Sequence, residues 1–155
     1  MEIRVARPED IPGLTDLLLQ VGEVHHKIRP DLFRSGAQKY DEKALTEILK
    51  DPNRPIFAAV EDGTLLGYCF CILEITRDNP VLMDQKSLYI DDLCVDENVR
   101  GKHVGARLYD FAMDYARKIG CDSLTLNVWC GNDSAMKFYE SRGLKQRNIH
   151  MEARL

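Results

Sequence analysis

The segment Arg100-Gly101-Lys102-His103-Val104-Gly105-Ala106 carries residue types that can hold phosphate. Small residues let a main chain approach a ligand closely, consecutive N–H groups can point outward, and the positive end of a helix dipole attracts an anion. Arg100, Lys102 and Arg107 add charge. The same spacing also suits a solvated turn that only feeds a helix. Two other phosphate motifs are excluded. A P-loop needs Gly-Lys-Ser/Thr, whereas Gly105 is followed by Ala106-Arg107, so the hydroxyl that would bind Mg²⁺ is missing. A dinucleotide fingerprint needs three glycines after the first strand of a βαβ unit, and this segment follows the fourth predicted strand.

The elements that would position this segment can be read from periodicity and turn chemistry. Residues 3–6 alternate as a short strand, and Pro8-Glu9-Asp10 opens a helix with Ile11, Leu14, Leu17, Leu18 and Val21 on one face, ended by Gly22. Asp41-Glu42-Lys43-Ala44 starts a second helix that turns Leu45, Ile48 and Leu49 inward and stops at Pro52. Strands over 55–61 and 64–75 flank Asp62-Gly63, a tight hairpin turn that needs positive φ. A strand over 87–95 leads through the basic loop into a helix over 104–119, striped by Val104, Leu108, Phe111, Ala112, Tyr115 and Ile119. Gly120 stops it. A strand over 123–129, a short helix to Ser141 capped by Asn132 or Asp133, and a final alternating strand over 145–153 complete the order β-α-α-β-β-β-α-β-α-β. This predicts an α/β (α+β) fold with a mixed sheet, because the hairpin is antiparallel while a strand-helix-strand crossover joins a parallel pair.

Composition bounds the function. The chain has 155 residues, 45% hydrophobic and 30% charged, with 21 Lys and Arg against 25 Asp and Glu for a net charge of −4. One globular domain over 1–155 is expected, and nucleic acid is not an expected partner. Five cysteines without a C-x-x-C pair read as buried, reduced thiols rather than disulfides or a zinc site. The charged start Met1-Glu2-Ile3-Arg4-Val5 does not resemble a signal peptide, and no apolar run reaches the roughly 18 residues of a membrane span. A cytoplasmic protein with no membrane association is the expectation.

The stretch Asn127-Val128-Trp129-Cys130-Gly131-Asn132-Asp133-Ser134-Ala135-Met136-Lys137-Phe138-Tyr139-Glu140-Ser141-Arg142-Gly143-Leu144, placed after the basic glycine loop, resembles the GNAT superfamily of acyl-CoA-dependent N-acetyltransferases. The acidic strand Tyr89-Ile90-Asp91-Asp92-Leu93-Cys94-Val95 is similar to the strand before that loop in small-amine enzymes of the family. The resemblance implies a mixed, mostly antiparallel central sheet flanked by helices, with acetyl-CoA as acyl donor and no metal. It implies that main-chain groups of Arg100, Gly101, Lys102, His103, Val104, Gly105 and Ala106 hold the CoA pyrophosphate. Leu93-Cys94-Val95 would take the pantetheine arm as an added strand, Leu93 and Val95 offering their backbone groups. Asn132 would bond the arm, Ala135 and Phe138 would line it, and Tyr139 would face the sulfur. The family pattern usually has glycine where this chain has His103, either an exposed loop residue or, when charged, an aid to phosphate binding.

The implied reaction is attack by an amine on a thioester. An alkyl ammonium of pKa roughly 10 must lose its proton, so a carboxylate base is required. Asp91 and Asp92 are neighbours on a strand, so their side chains are expected on opposite faces with only one in the cleft. The resemblance favours Asp91, with Asp92 and then Glu74 as fallbacks. A strand N–H at Leu93 or Val95 would hold the oxyanion, and Tyr139 would protonate the leaving thiolate. His25-His26 lack a third ligand at metal-binding spacing, and Trp129 reads as a core residue or an acceptor-side aromatic. A small-molecule amine is the leading acceptor. The alternatives are a protein amino terminus or lysine, weakened by Asn127 where some peptide-directed relatives have Glu, and a non-catalytic acyl-CoA sensor. The terminal strand could pair across a homodimer or finish its own sheet.

Overall fold

The computed structural model describes residues 1–99 and 102–155. Its strands are β1 (Glu2–Val5), β2 (Ile56–Glu61), β3 (Thr64–Thr76), β4 (Gln85–Val95) and β5 (Ser123–Leu126). Its helices are α1 (Ile11–Ile28), α2 (Glu42–Ile48), α3 (Val104–Lys118) and α4 (Asp133–Ser141). The strands form one sheet in the order β1-β2-β3-β4-β5, antiparallel throughout except for the parallel pair β4 and β5. The β2–β3 hairpin turns on Asp62 and Gly63, with φ of 50° and 78°, as a two-residue turn requires.

Alternation along the strands sends side chains to two helical layers. Phe57, Cys69, Cys71, Leu88 and Ile90 pack with Leu108, Ala112 and Ala116 of α3. Ile56, Ala58, Tyr68, Phe70 and Cys94 pack with Leu14, Leu17 and Leu18 of α1 and Leu45 and Ile48 of α2. Each fully buried leucine contributes on the order of 2 kcal/mol of transfer free energy. Asp41 caps α2 by accepting from the Ala44 N–H at 2.7 Å. No helix among the described residues is long and apolar enough to cross a membrane.

Three expectations are corrected. Gly22 does not end α1, which runs on to Ile28. A Cβ at Gly22 would lie 2.4 Å from the Ala37 carbonyl oxygen, so the glycine admits the following loop against the helix. The segment predicted as a last strand over 145–153 carries no regular structure, and residues 145–155 are exposed. Its alternate apolar residues Ile149, Met151 and Leu155 are exposed rather than laid against the sheet, and ion pairs from Glu152 to Arg29 at 2.7 Å and Arg154 to Asp31 at 2.8 Å tie the segment to the end of α1 instead. Finally, Cys69, Cys71 and Cys94 are buried, but Cys121 is only partly so and Cys130 is exposed.

The entry into α1 is held by charge. Arg4 makes a bidentate pair with Asp10 at 2.7 and 2.9 Å, and Asp10 also accepts from the Arg7 N–H at 2.7 Å. Burial works to raise the Asp10 pKa, but these donors hold it below its ordinary value of 3.8. Replacing Asp10 by Ala strands a nearly buried guanidinium, and we expect a loss of about 3 kcal/mol in denaturant-midpoint measurements at neutral pH. The difference from wild type should shrink as pH falls from 3.8 through the depressed native value, where Asp10 takes up a proton.

Candidate active site

The parallel pairing of β4 with β5 runs from Ser87↔Ser123 to Ile90↔Leu126 and stops there, while β4 continues to Val95. The register with β3 shifts at the same place: Cys71 opposes Ile90 and Phe70 opposes Asp92, leaving Asp91 as an extra, bulged residue. Beyond the bulge the Asp96 N–H donates to the Leu66 carbonyl at 2.9 Å. Antiparallel ladders alternate, so Asp92 and Cys94 turn their main-chain groups toward β3, and Leu93 and Val95 turn theirs toward the side β5 has left. Among the described residues no strand pairs with that edge.

The bulge overturns the expectation that only one carboxylate can face the cleft. Strict alternation fails across an extra residue, and both Asp91 and Asp92 take partners from the α1–α2 layer. Asp91 accepts from Lys39 Nζ at 2.6 Å and from the Tyr40 hydroxyl at 2.8 Å, so each of its oxygens is engaged. Tyr40 in turn accepts from Arg54 at 2.9 Å, and burial together with Asp91 pushes its phenol up to about 12. Asp92 accepts from the Tyr68 hydroxyl at 2.8 Å. Asp92 is partly buried. Burial pushes its carboxyl up to about 6, against the Tyr68 hydrogen bond, the Lys39 charge and the Leu93 N–H. Glu74 is exposed beside Ser87, at the other end of the ladder.

One end of the open edge meets the start of α3. His103 precedes the helix with φ of 59° in the left-handed region, and its side chain caps no N–H. This is a conformation glycine adopts freely and histidine at a cost of roughly 1 kcal/mol, which explains the glycine usual at this position. His103 itself is exposed. A Cβ on Gly105 would lie 3.4 Å from Val95, 3.8 Å from Leu93 and 4.0 Å from Phe138, so the first turn of α3 sits directly over the open strand. Arg107 turns away, donating to the Met1 carbonyl at 3.1 Å. Arg100 and Gly101 lie outside the described residues.

On the far side, Asn132 caps α4, its side chain accepting from the Ala135 N–H at 3.2 Å. Phe138 and Tyr139 pack with ring centroids 5.0 Å apart and meet Tyr109 on α3. Burial, with nearby Cys69 and Asp92, raises the Tyr139 phenol well above its ordinary value. Its hydroxyl has no hydrogen-bond partner among the described residues. Cys94 does not join the group at the open edge: its side chain is buried in the α1 layer, with its sulfur 3.6 Å from the Leu17 carbonyl.

The segment between α1 and α2 closes the other wall. Phe33 stacks on His25 at 5.1 Å and meets Trp129 edge-on at 5.0 Å. Trp129 is 41% exposed and so is not a core residue. His26 Nδ1 lies 2.6 Å from the Phe33 carbonyl oxygen. Lys39, Tyr40, Arg54 and Tyr68 were not legible as site residues, since no local spacing links them to Asp91 and Asp92. The only available signal was their type, basic or phenolic side chains able to answer an acidic pair.

Comparison with known proteins agrees with this geometry. The model of the acetyltransferase (GNAT) family matches residues 22–144. The uncharacterized N-acetyltransferase YhfO of Bacillus subtilis is 30% identical over 149 residues, covering 94% of this chain and 91% of that protein. Glucosamine 6-phosphate N-acetyltransferase of Arabidopsis thaliana is 28% identical over 97 residues, 54% of this chain, and that match spans only 63% of the enzyme. The BH1408 protein of Bacillus halodurans, solved as a point mutant, superposes with a TM-score of 0.95 at 30% identity, covering 100% of this chain and 99% of that one. A five-stranded sheet that opens after Ile90, with a helix start laid over the gap, is thus found in a chain that belongs to the GNAT family of acetyltransferases, which use acetyl-CoA as cosubstrate.

Proposed function

We propose that the protein transfers the acetyl group of acetyl-CoA to the primary amine of a small molecule, by direct attack in a ternary complex. The observation that carries this reading is the unpaired β4 edge, with Leu93 and Val95 facing a gap bounded by the α3 start, Asp92 and Tyr139. The pantetheine arm supplies the missing strand partner there. The pyrophosphate lies against the first N–H groups of α3, at Val104, Gly105 and Ala106, where the helix dipole and Lys102 favour anions. Ala135 and Phe138 line the arm from α4. A small acceptor is supported by the segment between α1 and α2, which reaches both Asp91 and Trp129 and so spans the mouth of the cleft.

Asp92 is the better base of the pair. Asp91 is held on both oxygens by cationic and phenolic side chains, whereas Asp92 is held by the Tyr68 hydroxyl and the Leu93 N–H with no cation bonded to it, and its carboxyl is pushed up to about 6. Relative to an ordinary carboxylate, that shift reduces the uphill proton transfer from an ammonium by about 3 kcal/mol, while leaving the group mostly ionised at neutral pH. Asp91 then serves to fix Lys39 and Tyr40 at the acceptor wall. The Val95 N–H, on the side of β4 that β5 has left, is the donor for the developing oxyanion, the Leu93 N–H already being drawn toward Asp92. Tyr139 remains protonated at every working pH. The dry surroundings that disfavour its phenolate disfavour a bare thiolate equally, so a proton from Tyr139 suits the departing sulfur.

Two outcomes test these roles. Asp92→Asn should lower kcat/KM about 100-fold in a thiol-release assay and remove the acid limb, with apparent pKa about 6, seen in wild type between pH 5 and 8. Calorimetric affinity for CoA should stay within about twofold. Tyr139→Phe should lower kcat by about 10-fold or more with little change in the KM for acetyl-CoA. An unchanged kcat would remove Tyr139 from the proton-donor role.

A further inference from the structure

Lys39 brings a primary alkyl amine to the carboxylate pair, and the reaction above does not use it. Its Nζ stands 2.6 Å from Asp91 Oδ1, on a side chain that is still 45% exposed. The charge of this ammonium bears on Asp92 and, with burial, lowers the pKa of His25, so it sits among the groups of the acceptor wall. An acceptor would occupy the same position just before losing its proton. The stem is a flexible four-carbon chain on the segment between two helices. Asp91 and Leu93 are two residues apart on one strand, about 7 Å, which is within the sweep of a lysine side chain.

We propose that Lys39 is itself an acceptor, acetylated in cis on its ε-nitrogen by acetyl-CoA held along β4. The inference rests on the acetyl-transfer reading. The Lys39 ammonium gives one proton to Asp92, and the freed nitrogen lone pair attacks the thioester carbon. The C–N bond forms, the C–S bond breaks with its electron pair leaving on sulfur, and CoA departs as the thiol with a proton supplied by Tyr139. The second nitrogen proton restores Tyr139, and Asp92 releases its own to solvent. One ammonium and one thioester become one amide, one thiol and one free proton. The amide carries no charge, so Asp91 loses its ion pair and the Asp91, Asp92 and Lys39 cluster changes from −1 to −2, a site better matched to a cationic acceptor.

The experiment is incubation of the full chain with acetyl-CoA and no added amine, followed by peptide mapping by mass spectrometry. The Lys39 peptide should gain one acetyl group at least about 10-fold faster than any other lysine peptide, at a rate unchanged by dilution, as an intramolecular step requires. Asp92→Asn should slow this about 100-fold while the slow labelling of other lysines continues. Lys39→Arg should remove the product without shifting it to a neighbour. Labelling of Lys39 at the background rate of other lysines, or a rate that falls with dilution, would overturn the proposal. If the wild type releases thiol with an amine panel while Lys39 stays at background, only the inference about Lys39 fails. If it releases none and binds no CoA, the acetyl-transfer reading fails too.

Discussion

The site depends on one constraint, the parting of β4 from β5 after Ile90. A buried or half-buried strand edge leaves main-chain donors and acceptors unmet, which proteins avoid by pairing or covering it. Here the edge is bordered by α3 and α4 but not paired. The extra residue at Asp91 marks the point of separation and turns two consecutive carboxylates to one face. Past it, Leu93 and Val95 present their side chains to the α3 layer and their backbone to the gap. A single irregularity in register therefore aligns an acid-base side with a side able to take an extended chain.

Electrostatics divides the cleft lengthwise. The overall charge is negative, yet the end at α3 offers helix N–H groups that no side chain caps among the described residues, with Lys102 nearby. The other end holds Asp91 and Asp92. Burial raises both Asp92 and Tyr139, a penalty that stability alone would not favour, and it falls on two groups that flank the same gap from opposite layers. Tyr68 shows how the penalty is contained: its hydroxyl donates to Asp92 Oδ2 at 2.8 Å and, with the Leu93 N–H, favours the charged form.

Much of the fold was legible because periodicity reports which face of an element is buried. The α3 stripe and the Asp62-Gly63 hairpin needed only local chemistry. The β4 strand was also placed, but its bulge was not, because an added residue leaves no mark on an alternating pattern that is already broken by Asp91-Asp92. Gly22 is ambiguous in the sequence for a related reason. A glycine inside a helical stripe signals an end or a close approach, and only the Ala37 carbonyl, brought in by tertiary packing, distinguishes them. The sequence marks His103 as a departure from the glycine usual in the family, but only the backbone shows that the position carries positive φ. The alternation over 145–153 was real and still formed no strand, since alternation predicts pairing only where an apolar face has something to cover.

The two halves of the site are held by different kinds of contact, and this bears on how acceptor choice can be separated from donor binding. The donor half is built from sheet register and from the close approach of α3 to β3 and β4; a Cβ at Gly67 would meet the Cys94 carbonyl oxygen at 2.8 Å and Leu108 and Val104 just beyond. Changing it disturbs the core. The acceptor half rests on the segment between α1 and α2, whose links to the sheet are the Lys39 and Tyr40 contacts with Asp91, the Phe33–Trp129 edge contact and the stacking of Tyr40 on Phe70. Most of these residues are partly or largely solvent-exposed, and substitutions there remove polar or edge contacts rather than create cavities, which limits their cost to stability. On the proposed reading, the wall that would meet the amine can therefore vary in sequence while the strand edge that would hold the thioester is fixed by packing.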